Sequence, residues 1–164
     1  ILFTEICIDN YYYLFRLPSS KKLEEMVMLN IENEFKKRKF KLDTYIYDMS
    51  YRSNINDLLN NAPEKPTVIY LKHKLRMGEH LNTEHVYLVH DDPNNIYTHT
   101  TTQSLLGRCC GYHKQSHQTM IYCDYRKAYE HYQWIKSNYS IEKIPAHAKY
   151  INHRAGKTKD KCIY

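Results

Sequence analysis

Short apolar, β-prone runs alternate with stretches of helical periodicity along most of the chain. Residues 1–8 and 11–17 are two such runs split by Asp9-Asn10. They read as two strands joined by a tight turn, or as one long irregular strand. Pro18 ends the second run, and Ser19 or Ser20 then stands ready to N-cap a helix whose first turn holds Glu24 and Glu25. Leu23, Met26, Val27, Leu29, Ile31 and Phe35 recur at helical spacing, and Lys36 to Lys39 close the helix at the negative end of its dipole. Thr44 to Tyr47 reads as a strand, Ser53 as the cap of a short helix through Leu59, and Asn60 to Pro66 as a turn-rich link. Thr67-Val68-Ile69-Tyr70-Leu71 has the length and β-branching of a buried strand. His85 to His90 is another, stopped by Asp91-Asp92-Pro93, and Gln118 to Asp124 is a further one. The alternation predicts an α/β fold, an open and mostly parallel sheet with helices on both faces, over residues 1–138.

Residues 139–164 show less periodicity and carry six Lys or Arg residues, and read as a basic appended segment or tail. The chain of 164 residues suits one domain with a sizeable core. Its formal charge of +6 favours an anionic partner without requiring one. Five cysteines, with Cys109 and Cys110 adjacent, form no paired framework, which predicts reduced thiols inside a cell. No apolar run reaches the about 20 residues of a membrane helix. The chain begins at Ile1 rather than Met, and reads as a domain of a longer protein or as a processed chain.

The chemistry is concentrated in two blocks. The strand Thr67–Leu71 runs into the basic turn Lys72-His73-Lys74-Leu75-Arg76-Met77-Gly78, which ends in one of only 4 glycines. In an open α/β sheet, ligands bind beyond the carboxyl ends of strands, so Lys72, Lys74 and Arg76 fall where a phosphate backbone could lie. A solvated basic loop is the plainer account of them. The second block is Gln103-Ser104-Leu105-Leu106-Gly107-Arg108-Cys109-Cys110-Gly111. Arg keeps its charge and offers phosphate a planar fork of donors, and Gly107 removes a side chain where backbone and ligand come close.

This order of strand, basic Gly turn, strand ending in Asp-x-Pro, Gln and Gly-Arg helix, and strand resembles the second RecA-like domain of superfamily 2 helicases over roughly residues 11 to 138. Lys72 to Thr83 sits at that family's motif V and Gln103 to Gly111 at its motif VI. The resemblance implies a RecA-like sheet and a cleft for ATP and Mg2+ bound mainly by a first RecA-like domain. It implies Arg108 as an arginine finger and Gln103 as its catalytic companion, with Gly78, Glu79 and Gly107 beside the nucleotide. It places Ser19, Ser20, Lys72, Lys74 and Arg76 along a track for DNA or RNA, and implies a phage or large DNA virus source and a host cytoplasm or nucleus. The chain also departs from the pattern. Gln103 is one residue too far from Gly107, Gly111 stands where a second Arg is usual, and His80 replaces an expected Asp.

Other motifs carry less. Ala155-Gly156-Lys157-Thr158 lacks the upstream Gly of a phosphate loop, since Ile151 stands there. Neither that loop nor an Asp-Glu box is visible, as the resemblance expects for a second domain. Cys110, His113, His117 and Cys123 have spacing reminiscent of zinc ligands, but small thiols also pack well inside a helix, and no metal is expected. Lys36 to Lys41 is a basic run of the kind found at helix ends, at nucleic-acid surfaces and in nuclear addresses. The competing functional reading is a non-catalytic nucleic-acid-binding or assembly module that kept a helicase-derived fold.

Overall fold

The computed structural model describes residues 10–73, 80–91, 105–109 and 119–146, with the backbone of 150–155 and 158–163. Strand β1 (Tyr12–Arg16) leads to helix α1 (Lys21–Lys37), β2 (Asp43–Tyr47), α2 (Ile55–Leu59), β3 (Thr67–Leu71), β4 (Val86–His90), the short α3 (Leu105–Arg108), β5 (Met120–Tyr122) and α4 (Tyr125–Lys136). A 3₁₀ turn at Ile141–Lys143 precedes β6 (Tyr150–Ala155) and β7 (Thr158–Ile163). Strands β1 to β5 form one sheet in the order β2-β3-β1-β4-β5, and every pairing in it is parallel. The fold is thus an open parallel α/β sheet, as the alternating pattern predicts.

Burial follows position in that order. All five residues of β3 are buried, which is what a strand covered on both faces requires. Side chains alternate between faces. Tyr12, Leu14, Ile69, Leu71, Val86 and Val89 pack with Ile55 and Leu59 of α2 and with Leu105 of α3. Tyr13, Phe15, Val68, Tyr70 and Leu88 pack with Ile31 and Phe35 of α1 on the other face. Strand β4 carries one extra residue at Tyr87, a bulge that shifts register between Tyr12 and Tyr13 and restores the alternation beyond it. The core is rich in tyrosine, whose hydroxyls need partners when buried. Tyr12 Oη donates to the Leu58 carbonyl at 3.1 Å and Tyr70 Oη to that of Met28 at 3.4 Å. Burial pushes the Tyr70 phenol far above its ordinary range, with the Glu32 charge adding to the shift.

The helix ends are chemically explicit. Asn54 accepts from the Asn56 amide and Asp57 reaches back to the Asn54 amide, a reciprocal capping box. The cap of α2 is therefore Asn54, one residue after the expected Ser53. Helices α1 and α4 both close with paired amide bonds from the last two turn residues, Lys39 and Phe40 in one case and Asn138 and Tyr139 in the other. Lys39 and Asn138 take the left-handed conformation this closure needs, at φ 61° and 54°.

Strands β6 and β7 form a separate two-stranded antiparallel sheet. The expected tail over 139–164 thus contains regular backbone. The hairpin considered at residues 1–17 lies partly outside the described residues, and its described half, β1, pairs in parallel with β3 and β4.

Candidate functional site

Strand β1 occupies the middle of the sheet, with β3 on one side and β4 on the other. The chain leaves β1 toward β2 on one flank and leaves β4 toward β5 on the opposite flank. The two connections diverge, so the carboxyl ends of β1 and β4 border the kind of crevice in which open α/β sheets bind ligands.

Two residues at those ends form a closed ion pair. Arg16 Nε donates to Asp91 Oδ1 at 2.6 Å, with side chains only 10% and 2% exposed. The Asp91 backbone amide donates to the Tyr122 carbonyl at 2.9 Å, which ties the backbone at Asp91 to β5 as well. One residue earlier on each strand, the Phe15 and His90 rings stack at 5.9 Å and 29°. Cys123 follows β5 nearby. Its burial, and then the charges of Asp91 and Asp124, hold its thiol above the ordinary value. In the sequence, Asp91 reads only as a strand stop and Arg16 as the end of an apolar run. The available signal was a charged residue at the end of each of two apolar runs.

The residues expected to contact nucleic acid divide into three groups. Ser19 and Ser20 follow β1 at this same edge, exposed, and Ser20 is the N-cap residue of α1 with no side-chain capping bond. Lys72 follows β3, but its ammonium is engaged. It donates to Glu24 Oε1 on α1 at 2.7 Å, with Lys72 33% and Glu24 11% exposed. Asp48 lies close enough for the Lys72 charge to help lower its carboxyl pKa, after larger contributions from the Ser50 hydroxyl and amide. Lys72 is therefore a bridge between β3 and α1 rather than a cation projecting alone into solvent. Lys74 and Arg76 lie outside the described residues, as do Gly78, Glu79 and Gln103.

Arg108 closes α3 and is 7% exposed. Leu105 and Cys109 anchor the turn in the core cluster on the α2 face, and the Cys109 thiol donates to the Leu105 carbonyl at 3.2 Å. Gly107 is half-buried within the same turn. Burying a guanidinium is costly unless its surroundings compensate. His80 and its neighbours clamp α2. The His80 carbonyl accepts from Asn56 at 2.7 Å, Asn56 accepts from the Asn82 amide at 2.8 Å, and Asn82 donates to Asn60 at 2.8 Å. Of the zinc-like set, only Cys123 is described. Among the described residues, no group of three or more His, Cys, Asp or Glu could hold a metal ion. Among them, too, no helix is long and apolar enough to cross a membrane.

No family model matches the chain, and no solved structure matches it. It is similar to an uncharacterised protein of Acanthamoeba polyphaga mimivirus, 61% identical over 162 residues. That alignment covers 99% of the chain and 41% of the mimivirus protein, so the chain spans about two fifths of its relative's length.

Proposed function

We propose that the chain is the second RecA-like domain of an ATP-dependent superfamily 2 helicase or translocase, working with a first RecA-like domain elsewhere in its parent polypeptide. The observation that supports this most is the adjacency of β3, β1 and β4. It brings Lys72, the Ser19-Ser20 turn and the Arg16–Asp91 pair to one edge of the sheet. The segment after β4 continues to Arg108, so the regions that resemble the family's motifs leave the two strands that flank β1.

On this reading ATP, with Mg2+, would be held mainly by the first domain. It would supply a phosphoryl group whose negative charge grows as it transfers. Arg108 would stabilise that charge, assisted by Gln103, with Gly78, Glu79 and Gly107 beside the nucleotide. A preset cation would suit such a role, because it costs no reorganisation when the charge develops. Ser19, Ser20, Lys72, Lys74 and Arg76 would line the nucleic-acid track. Helix N-termini such as that of α1 favour phosphate.

The isolated chain is expected to show no ATP turnover in the ordinary enzyme range of ~1–10³ s⁻¹. In the full-length parent, Arg108→Ala should lower single-turnover hydrolysis by about 10³-fold or more, with ATP binding less affected. Arg108→Lys should rescue poorly, since an ammonium does not reproduce the fork. Near-normal hydrolysis by a folded Arg108→Ala protein would refute the finger role. The second reading, a non-catalytic nucleic-acid-binding module, would then stand. What favours that alternative is Gly111 in place of the usual second Arg and His80 in place of the expected Asp.

A further inference from the structure

Helix α4 is inverted relative to an ordinary surface helix. Such a helix buries its aromatic stripe and exposes its charges. Here Tyr125, Tyr129 and Tyr132, spaced i, i+4 and i+7 and therefore on one face, are 72%, 48% and 55% exposed. Lys127 points the other way, is 8% exposed, and pairs with Asp124 at 3.0 Å.

The outward face has an internal order. The rings of Tyr125 and Tyr129 stack at 5.8 Å and 25°, presenting roughly parallel planes. The Lys136 ammonium lies 5.9 Å from the Tyr132 ring centroid. Arg126 and Lys136, near the two ends of the stripe, are both exposed. The helix's single carboxylate, Glu130, is turned aside and accepts from the Ala146 amide at 3.2 Å. Aromatic planes flanked by cations, with both nearby acids occupied elsewhere, complement a polyanion that carries flat rings.

We propose that this face of α4 is a stacking platform for single-stranded nucleic acid. Bases lie on the tyrosine rings, while Arg126 and Lys136 pair with flanking phosphates. Every base has a π-face, so such a surface binds without strong sequence preference. Tyr125 to Lys136 spans about 16 Å of helix, enough for a few extended nucleotides. A duplex offers no free base faces and is a poor occupant. The inference stands on α4 alone and is independent of the motor reading.

The test uses the intact chain with a short fluorescein-labelled oligothymidylate at low salt, read by anisotropy and by emission from Trp134, the only tryptophan. Tyr125→Ala and Tyr129→Ala should each weaken binding by roughly five- to hundredfold. The Tyr→Phe versions should bind nearly as the wild type. Alanine favours helix at exposed positions, so these variants keep the fold, which circular dichroism verifies. Arg126→Glu should weaken binding and flatten its salt dependence. Unchanged affinity in the double alanine variant, or loss in the Phe variants as large as in the Ala ones, would overturn the proposal. So would equal competition by duplex. A change of oligomeric state on gel filtration with binding intact would likewise overturn it and assign the face to a protein contact. The platform is read from oligothymidylate binding and the motor from ATP hydrolysis by the full-length parent, which separates failure here from failure of the motor reading.

Discussion

Two aspartate ion pairs, one with arginine and one with lysine, sit at the centre and the margin of one sheet. Arg16–Asp91 joins the central strands β1 and β4, at 2.6 Å and almost closed to water. Lys65–Asp43 lies beside the edge strand β2, at 2.9 Å, with side chains 45% and 41% exposed. A buried charge must be compensated by its partner, whereas an open one is compensated by solvent. The central pair marks a place where the fold holds charge against a desolvation cost. The marginal pair decorates an edge, where charge discourages a further strand from adding.

The largest expected effect follows from breaking the central pair. Asp91→Ala leaves the Arg16 guanidinium buried without its carboxylate, and should destabilise the chain by about 3–5 kcal/mol in urea unfolding. Replacing both residues by well-packed apolar side chains should recover much of that loss. A cost below about 1 kcal/mol for Asp91→Ala would erase the contrast with an exposed pair.

The Asp124–Lys127 pair is intermediate, with side chains 27% and 10% exposed. Asp124 also caps α4 by accepting from the Arg126 amide at 3.1 Å. Asp124→Ala should cost about 1 kcal/mol, the usual worth of such a cap. The hydrogen bond from Lys127 holds the Asp124 carboxyl below its ordinary value of 3.8. Its stabilising contribution is therefore complete above that value and is lost as pH falls through the lower folded one. An acid titration followed by Trp134 emission should show α4 loosening only in that window. The Asp124→Asn protein should lack this transition.

The smallest effect belongs to the margin. Asp43→Asn should leave the thermal midpoint unchanged within error. A drop as large as that of Asp91→Ala would show that burial is not what separates the two pairs.

The same contrast explains what the sequence made legible. Thr67–Leu71 could be read as an interior strand to the residue, because five successive apolar or β-branched side chains fit nothing else of that length. Helix α1 was readable from its spacing and its basic end. The α2 cap was displaced because Ser53 and Asn54 are both good caps, although Asp57 three residues beyond Asn54 supplied the deciding capping box. Strand pairing, by contrast, is settled by crossovers and not by local pattern. Arg16 and Asp91 meet only because β1 and β4 are neighbours. Likewise Lys72 reads as a loop cation until the fold brings Glu24 to it. Helix α4 falls within the alternation that runs to residue 138, but local pattern does not fix that its tyrosines face outward. The β6–β7 backbone was hidden because polar and charged residues fill most of both strands and leave few apolar positions to mark a face.

The central place of β1 also sets an order of events during synthesis. Of the five strands, β1 emerges from the ribosome first, yet both its partners follow at Thr67 and beyond. At about 5–20 residues per second, Tyr12 to Phe15 waits several seconds with two bare hydrogen-bonding edges. The high contact order that results slows folding. It also leaves this apolar segment open to wrong pairing until its partners emerge.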